Sequence, residues 1–331
     1  MRYISELIDK NREVNMLEHS FVFPAVCPVT ESISTVPAKS ARVNLVALGD
    51  VGGTVLMGLR LMGADVIDTI GIFDLNDAQM RRYEREINQI SYPDGRKLPW
   101  IEILKSEDMW DCDMFVFCAT KGVPPIGAGG DVRMAQLEAN KGLVSMYAKQ
   151  AVEAGYKGIF AVVSDPVDPL AKAALDAGLE PSLVRGYGLG VMNGRASYFA
   201  QKEERFARYL AEGRAFGPHG EDLVIADSIE EYDDDNSLAL TELTVRSNLE
   251  TRADGFKPYI APAMSSGALS LIETLRGGWH YSSLYLGADG AGAFLGCRNR
   301  RVNGGNEVEN LPLDEKLFQR IEKAYRNLER L

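Results

Sequence analysis

From residue 43 onward the chain alternates apolar runs with amphipathic stretches. "VNLVALGDVGG" is an apolar strand running into a glycine turn, and "TVLMGLRLMGA" continues it as a mostly apolar helix. "IDTIGIFDLN" is a second strand that ends in an acid. "DAQMRRYEREINQI" is a helix with Tyr83, Ile87 and Ile90 on one face. "DMFVFCAT" reads as a buried strand, "DVRMAQLEANKGLVSMYAKQAVEAG" as a helix, and "YKGIFAVVSDPVD" as a fourth strand with a breaker behind it. Near-continuous apolar strands separated by helices predict a parallel sheet covered on both faces. The expected fold class is therefore α/β, with a Rossmann-type doubly wound parallel sheet followed by a mixed α/β C-terminal catalytic domain.

The ends differ from this pattern. "MRYISELIDKNREVNML" can form one amphipathic helix with Ile4, Leu7, Ile8 and Val14 on one side. "FVFPAVCPVTESISTVPAKS" is proline-rich and β-branched, an extended arm or short edge strands. The last stretch, "DEKLFQRIEKAYRNLERL", is an amphipathic helix with Leu317, Ile321, Tyr325 and Leu328 on one face and Asp314 as its cap. The acidic run "EEYDDD" at 230–235 reads as a solvated loop. These boundaries predict an N-terminal arm over 1–42, a nucleotide-binding domain over 43–165 and a catalytic domain over 166–331.

Composition adds exclusions. Acidic residues outnumber basic ones, 47 to 36, giving a net charge of −11. That balance repels a phosphate backbone, so no nucleic-acid partner is expected. No apolar run approaches the roughly 18 residues that span a bilayer, so no membrane partner is expected either. The charged N-terminus lacks the apolar core of a secretion signal. Four cysteines without CxxC spacing and three histidines make no convincing zinc set. Cys118, inside "MFVFCAT", reads as a buried free thiol. The expectation is a cytoplasmic protein with no bound metal.

"ALGDVGG" puts Gly49 and Gly52 at the second and third positions of a G-x-G-x-x-G turn, with Ala47 at the first. The strand before and the helix after meet the physical requirement: close backbone approach to a pyrophosphate, with a helix N-terminus aimed at it. The turn residues Gly49, Asp50, Val51 and Gly52 are the candidate cofactor contacts. Asp74 ends the next strand 22 residues past Gly52. A carboxylate there accepts hydrogen bonds from a ribose and repels a 2′-phosphate, which selects NAD over NADP. The alternative is that the glycines only permit close strand–helix packing.

In order along 43–331, these segments resemble the lactate/malate dehydrogenase family. "LGDVGG" is similar to its dinucleotide turn and "IFDLN" to its ribose-binding strand end. "TKGVPPIGAGGDVRMAQLEAN" is similar to its mobile active-site loop, "VVSDPVD" to its S-N-P-V-D strand end, and "GYGLGVMNGR" to its G-x-G-T-x-L-D-x-x-R segment. "GPHGEDLV" resembles its catalytic histidine loop, and "GAFLGCRNRRVNG" with the helix behind it the last hairpin and helix. The resemblance implies that His219 donates and accepts the proton. It implies that Arg133 closes over the substrate and polarises its carbonyl, and that Arg195 forks onto the substrate carboxylate.

The departures are informative. The family's histidine-orienting Asp, three residues before the carboxylate-binding Arg, is Met192 here. Asp165 stands where the family has Asn. One acid is lost and another gained, so Asp165 is expected to orient His219 from the other side; the alternative is a turn-capping Asp165 in a repurposed site. Pro125 and Ile126 occupy the specificity position of a loop two residues longer than the family's, with no cation for a second carboxylate. Lys121 is taken to face solvent. Tyr259 and Met264 are expected to shape the side-chain pocket, with Lys257 or Pro258 at the family's threonine position. His280 belongs to packing or an oligomer surface. The implied function is NAD-dependent interconversion of a 2-oxo and a 2-hydroxy acid, a small monocarboxylate with a side chain larger than methyl, by a homodimer or homotetramer. The rival is an NAD-binding scaffold without catalysis.

Overall fold

The computed structural model describes residues 2–8, 21–22, 40–121, 132–288, 291–302 and 304–331. In chain order the strands are β1 (Phe21–Val22), β2 (Ala41–Val46), β3 (Ile67–Phe73), β4 (Trp100–Ile103), β5 (Met114–Phe117), β6 (Ile159–Val162), β7 (Val184–Gly186), β8 (Arg214–Phe216), β9 (Val224–Ala226), β10 (His280–Ala288), β11 (Ala291–Val302) and β12 (Gly305–Val308). The α-helices are α1 (Asp50–Met62), α2 (Asp77–Asn88), α3 (Val132–Glu153), α4 (Val167–Asp176), α5 (Leu189–Lys202), α6 (Tyr209–Glu212), α7 (Asp234–Ala253), α8 (Ser270–Arg276) and α9 (Glu315–Glu329).

Six parallel strands run in the order β4-β3-β2-β5-β6-β7. The order reverses between β2 and β5, which opens a crevice at their carboxyl ends. The four residues of β5 and the four of β6 are all buried, because helices cover both faces. On one face α1 and α8 pack with β2 and β3 around Val55, Leu59, Ile70 and Leu271. On the other, α3 and α4 pack around Phe115, Phe160, Ala148 and Leu170. The sheet continues past β7 as antiparallel β10, β11 and β12, with β1 beside β12. The domain boundary expected at 165/166 falls inside this sheet, because β7 belongs to its parallel part. Strands β8 and β9 form a separate hairpin.

The C-terminal helix forms as its pattern predicts. Leu317, Ile321 and Tyr325 are buried, and the Asp314 carboxylate accepts from the Lys316 N–H. The acidic run differs from its reading as a loop. Asp233 caps α7 by accepting from the Asn236 N–H, and Asp234 and Asp235 lie in the first helical turn. Acid at a helix N-terminus is favourable, so charge density there marked a helix start. At the N-terminus, Ile4–Leu7 is one 3₁₀ turn with Ile4 and Leu7 buried against α9; the rest of the expected helix lies outside the described residues.

Candidate active site

The nucleotide turn is built by close approach. A Cβ at Gly52 would stand 1.9 Å from the Ala47 carbonyl oxygen, so only glycine fits. A Cβ at Gly49 would meet nothing within 4 Å, so the space over the turn is open. Ala47, at the first position of the pattern, takes a left-handed φ of 73°. It holds a glycine-like conformation at a cost of about 1–2 kcal/mol. Asp74 Oδ2 accepts from the Leu48 N–H at 2.7 Å and Oδ1 from the Asn76 N–H at 2.9 Å. The acid thus ties the turn to the end of β3 while lying at the crevice. Gln79 adds a bond to the Leu48 carbonyl. Asp50 opens α1, and Val51 packs against the core beside it. An open turn whose glycine a side chain would fill fits a bound pyrophosphate, and these residues are the ones placed to hold it.

His219 sits at the tip of the loop between β8 and β9. Gly217 carries the loop with φ 90° and donates its N–H to the Gly296 carbonyl on β11 at 2.9 Å. The Asn327 amide holds Asp222 at 3.1 Å on the far side. The Arg214–Glu309 fork, at 2.6 and 3.0 Å, anchors β8. The loop leans on Gly188, where a Cβ would stand 3.0 Å from the His219 Cβ. Thus placed, His219 Nδ1 lies 3.0 Å from Asp165 Oδ1. The imidazole side chain is mostly buried, at 15% exposed, and the carboxylate is half-exposed, at 51%.

Arg195 lies on the same side of α5 as Met192, with Nη1 3.5 Å from the Met192 sulfur. Burial lowers the pKa of its guanidinium, and the nearby Asp165 carboxylate opposes that. Among the described residues it has no ion-pair partner. Met192 is fully buried. The start of α5 is fixed by Ser266, whose hydroxyl donates to the Gly188 carbonyl and accepts from the Val191 N–H. Tyr259 is placed on the nucleotide side, within electrostatic range of Tyr83, and Met264 packs on the nucleotide-domain core beside Gly58. Pro125 and Ile126 lie outside the described residues. Arg133 is described only as backbone in the first turn of α3. Lys121 is exposed, as expected. His280 is buried at 6% exposure beside Arg185, Ser282 and Thr274, so it is a packing residue.

Two residues carry more of the site than their sequence suggested. Asn140, fully buried on α3, accepts from the Lys121 N–H at 2.8 Å and donates to the Asp165 carbonyl at 3.2 Å. It joins the ends of β5 and β6. Its signal was a polar residue on the apolar face defined by Leu137 and Val144. Asp168, 4% exposed, lies one turn beyond Asp165 in α4. Burial pushes its carboxyl up to about 6; Ser283 and the His219 main chain offset part of this, and its Oδ1 has no hydrogen-bond partner among the described residues. Among the described residues no group of His, Cys, Asp and Glu is placed to hold a metal ion.

Residues 41–184 match the sequence model of the lactate/malate dehydrogenase NAD-binding domain. Over these residues the chain is similar to that family and carries its NAD-binding domain. Relatives include the L-lactate dehydrogenases of Treponema denticola, 29% identical over 185 residues, and Halalkalibacterium halodurans, 27% identical over 186. Each alignment covers 55% of this chain, and 56% and 57% of those enzymes, so the chain matches little more than half of their length. Solved structures extend the likeness in fold. A lactate dehydrogenase from a Medee basin deep-sea metagenome superposes with a TM-score of 0.72 at 18% identity, over 88% of this chain and 97% of that one. The malate dehydrogenase of Archaeoglobus fulgidus, solved with NADH, gives 0.69 at 18% identity, over 87% and 97%. The nucleotide domain of this chain is therefore an NAD-binding Rossmann domain.

Proposed function

We propose that this chain is an NAD-dependent oxidoreductase that interconverts a 2-oxo acid and a 2-hydroxy acid. The observation that carries the reading is the 3.0 Å contact between His219 Nδ1 and Asp165 Oδ1. A carboxylate on Nδ1 fixes the tautomer and ring orientation and stabilises the imidazolium. Nε2 is then the atom that works on substrate. It gives its proton to the carbonyl oxygen during reduction and takes it back during oxidation. Bound NAD supplies the hydride chemistry at the neighbouring carbon. Arg195, close to the pair and without an ion-pair partner among the described residues, takes the substrate carboxylate as a fork. Arg133 closes over the carbonyl. In this reading Asp165 supplies the charge that Met192 cannot, and the non-catalytic alternative loses its main motive.

The substrate is a monocarboxylate with a side chain larger than methyl. Pro125 and Ile126 offer no cation for a second carboxylate, and Met192 adds an apolar wall beside Arg195. The rest of the reading is a cytoplasmic homodimer or homotetramer; among the described residues no helix is long and apolar enough to cross a membrane.

The test is loss of NADH absorbance with pyruvate, oxaloacetate, branched-chain, aromatic and sugar-derived 2-oxo acids. Turnover on a monocarboxylate larger than pyruvate, abolished in His219→Asn, is the expected result. Preference for oxaloacetate would overturn the substrate class. Silence across the panel, in protein that binds NADH, would overturn the catalytic reading.

A further inference from the structure

One ion pair joins the nucleotide turn to the C-terminal half: Lys257 Nζ lies 3.1 Å from Asp50 Oδ2. Asp50 is the first residue of α1, directly after the capping Gly49. The first-turn N–H groups and the helix dipole there attract negative charge, which suits a carboxylate and suits a phosphate better. The two cannot both be favoured. An acid at this position places like charge beside the pyrophosphate that the NAD-binding domain must seat.

Lys257 is the cation within reach. Both side chains are well exposed, 76% for Lys257 and 52% for Asp50. A surface pair of this kind is worth about 0–1 kcal/mol, so it exchanges readily. The lysine's stem is less free. The Lys257 carbonyl accepts from the Tyr259 N–H at 3.0 Å, and the chain then enters the π-helical segment Pro262–Leu269. That segment lies tight on α1: a Cβ at Gly58 would stand 2.4 Å from the Ala268 Cβ, and one at Gly267 would stand 2.7 Å from Val55 Cγ2. The base of Lys257 is thus held at a fixed place relative to the turn, while its ammonium can move across the open space over Gly49.

We propose that Lys257 is a pyrophosphate-binding residue, and that Asp50 is the placeholder from which its ammonium transfers to the phosphate oxygens when NAD binds. This rests on the NAD-binding reading of the turn. It assigns opposite signs to two residues that touch each other. Lys257→Gln removes the phosphate contact and leaves Asp50 to repel. Asp50→Asn removes both the competitor for the lysine and the repulsion.

The experiment is a fluorescence titration of NADH into the full chain and its variants, with adenosine, which has no phosphate, titrated by calorimetry. Lys257→Gln is expected to raise the Kd for NADH about tenfold, roughly 1.4 kcal/mol. Asp50→Asn is expected to lower that Kd several-fold, and Lys257→Arg to keep most of the affinity. Affinity for adenosine should be unchanged in all three. Loss of the ion pair alone would move the two principal variants in the same direction, so opposite signs exclude a merely structural effect. Unchanged NADH affinity in Lys257→Gln, weaker binding in Asp50→Asn, or an equal loss for adenosine would each overturn the proposal while leaving the NAD site intact. Failure of the unaltered chain to bind NADH would overturn both.

Discussion

In the proposed site, Asp165 takes over a charge that the residue at position 192 does not carry. The Met192 side chain beside Arg195 cannot orient an imidazole, yet His219 has the Asp165 carboxylate at hydrogen-bond distance. The His219–Asp165 contact was legible in the sequence because the two residues fell in motifs expected to converge on one site. Asp168 was not legible. Its environment comes from β10 and the histidine loop, which no spacing along α4 reveals. Its carboxyl is raised to about 6 by burial. The native state therefore holds a proton that the unfolded chain releases near pH 4, and native stability falls as pH rises from about 4 to about 6. Asparagine does not titrate. The stability of Asp168→Asn relative to the unaltered chain should thus rise by roughly 3 kcal/mol between pH 4 and 7. Denaturant midpoints across that range check this; a pH-independent difference would contradict it.

At the scale of elements, the signals that worked were continuous apolar runs and periodic apolar stripes. Central strands β5 and β6 and helices α2 and α9 were readable because burial on both faces, or on one stripe, fixes every residue type. Strand β4 has one buried residue among its four and β7 has only three residues, so neither makes a continuous apolar run. The acidic start of α7 looked like a loop because capping chemistry and solvation select the same residues. The nucleotide turn lay between these cases: its glycines were visible, but the left-handed Ala47 was not, since alanine carries no such signal. Gly52→Ala tests the element directly. A methyl 1.9 Å from the Ala47 carbonyl oxygen must push the turn open. The variant should lose about 2 kcal/mol or more of stability and most of its NADH affinity, read by thermal melting and by titration. Retention of both would show that the turn is not held by that contact.

For the molecule as a whole, one sheet carries both halves of the site. The parallel strands deliver the nucleotide turn, Asp74 and Asp165 at their carboxyl ends, and the antiparallel extension supports the hairpin that brings His219 back to Asp165. The sequence order of these pieces announced the fold class. It could not announce that the sheet runs unbroken from β4 to β12, because that depends on β7 pairing with both β6 and β10. A carboxylate–imidazole contact assembled from residues 54 positions apart is the consequence. The most direct measurement compares the unaltered chain with Asp165→Asn in NADH-dependent reduction of the best 2-oxo acid, as a function of pH. A fall in kcat of at least about tenfold, near 1.4 kcal/mol of transition-state stabilisation, is expected. Unchanged turnover would contradict it.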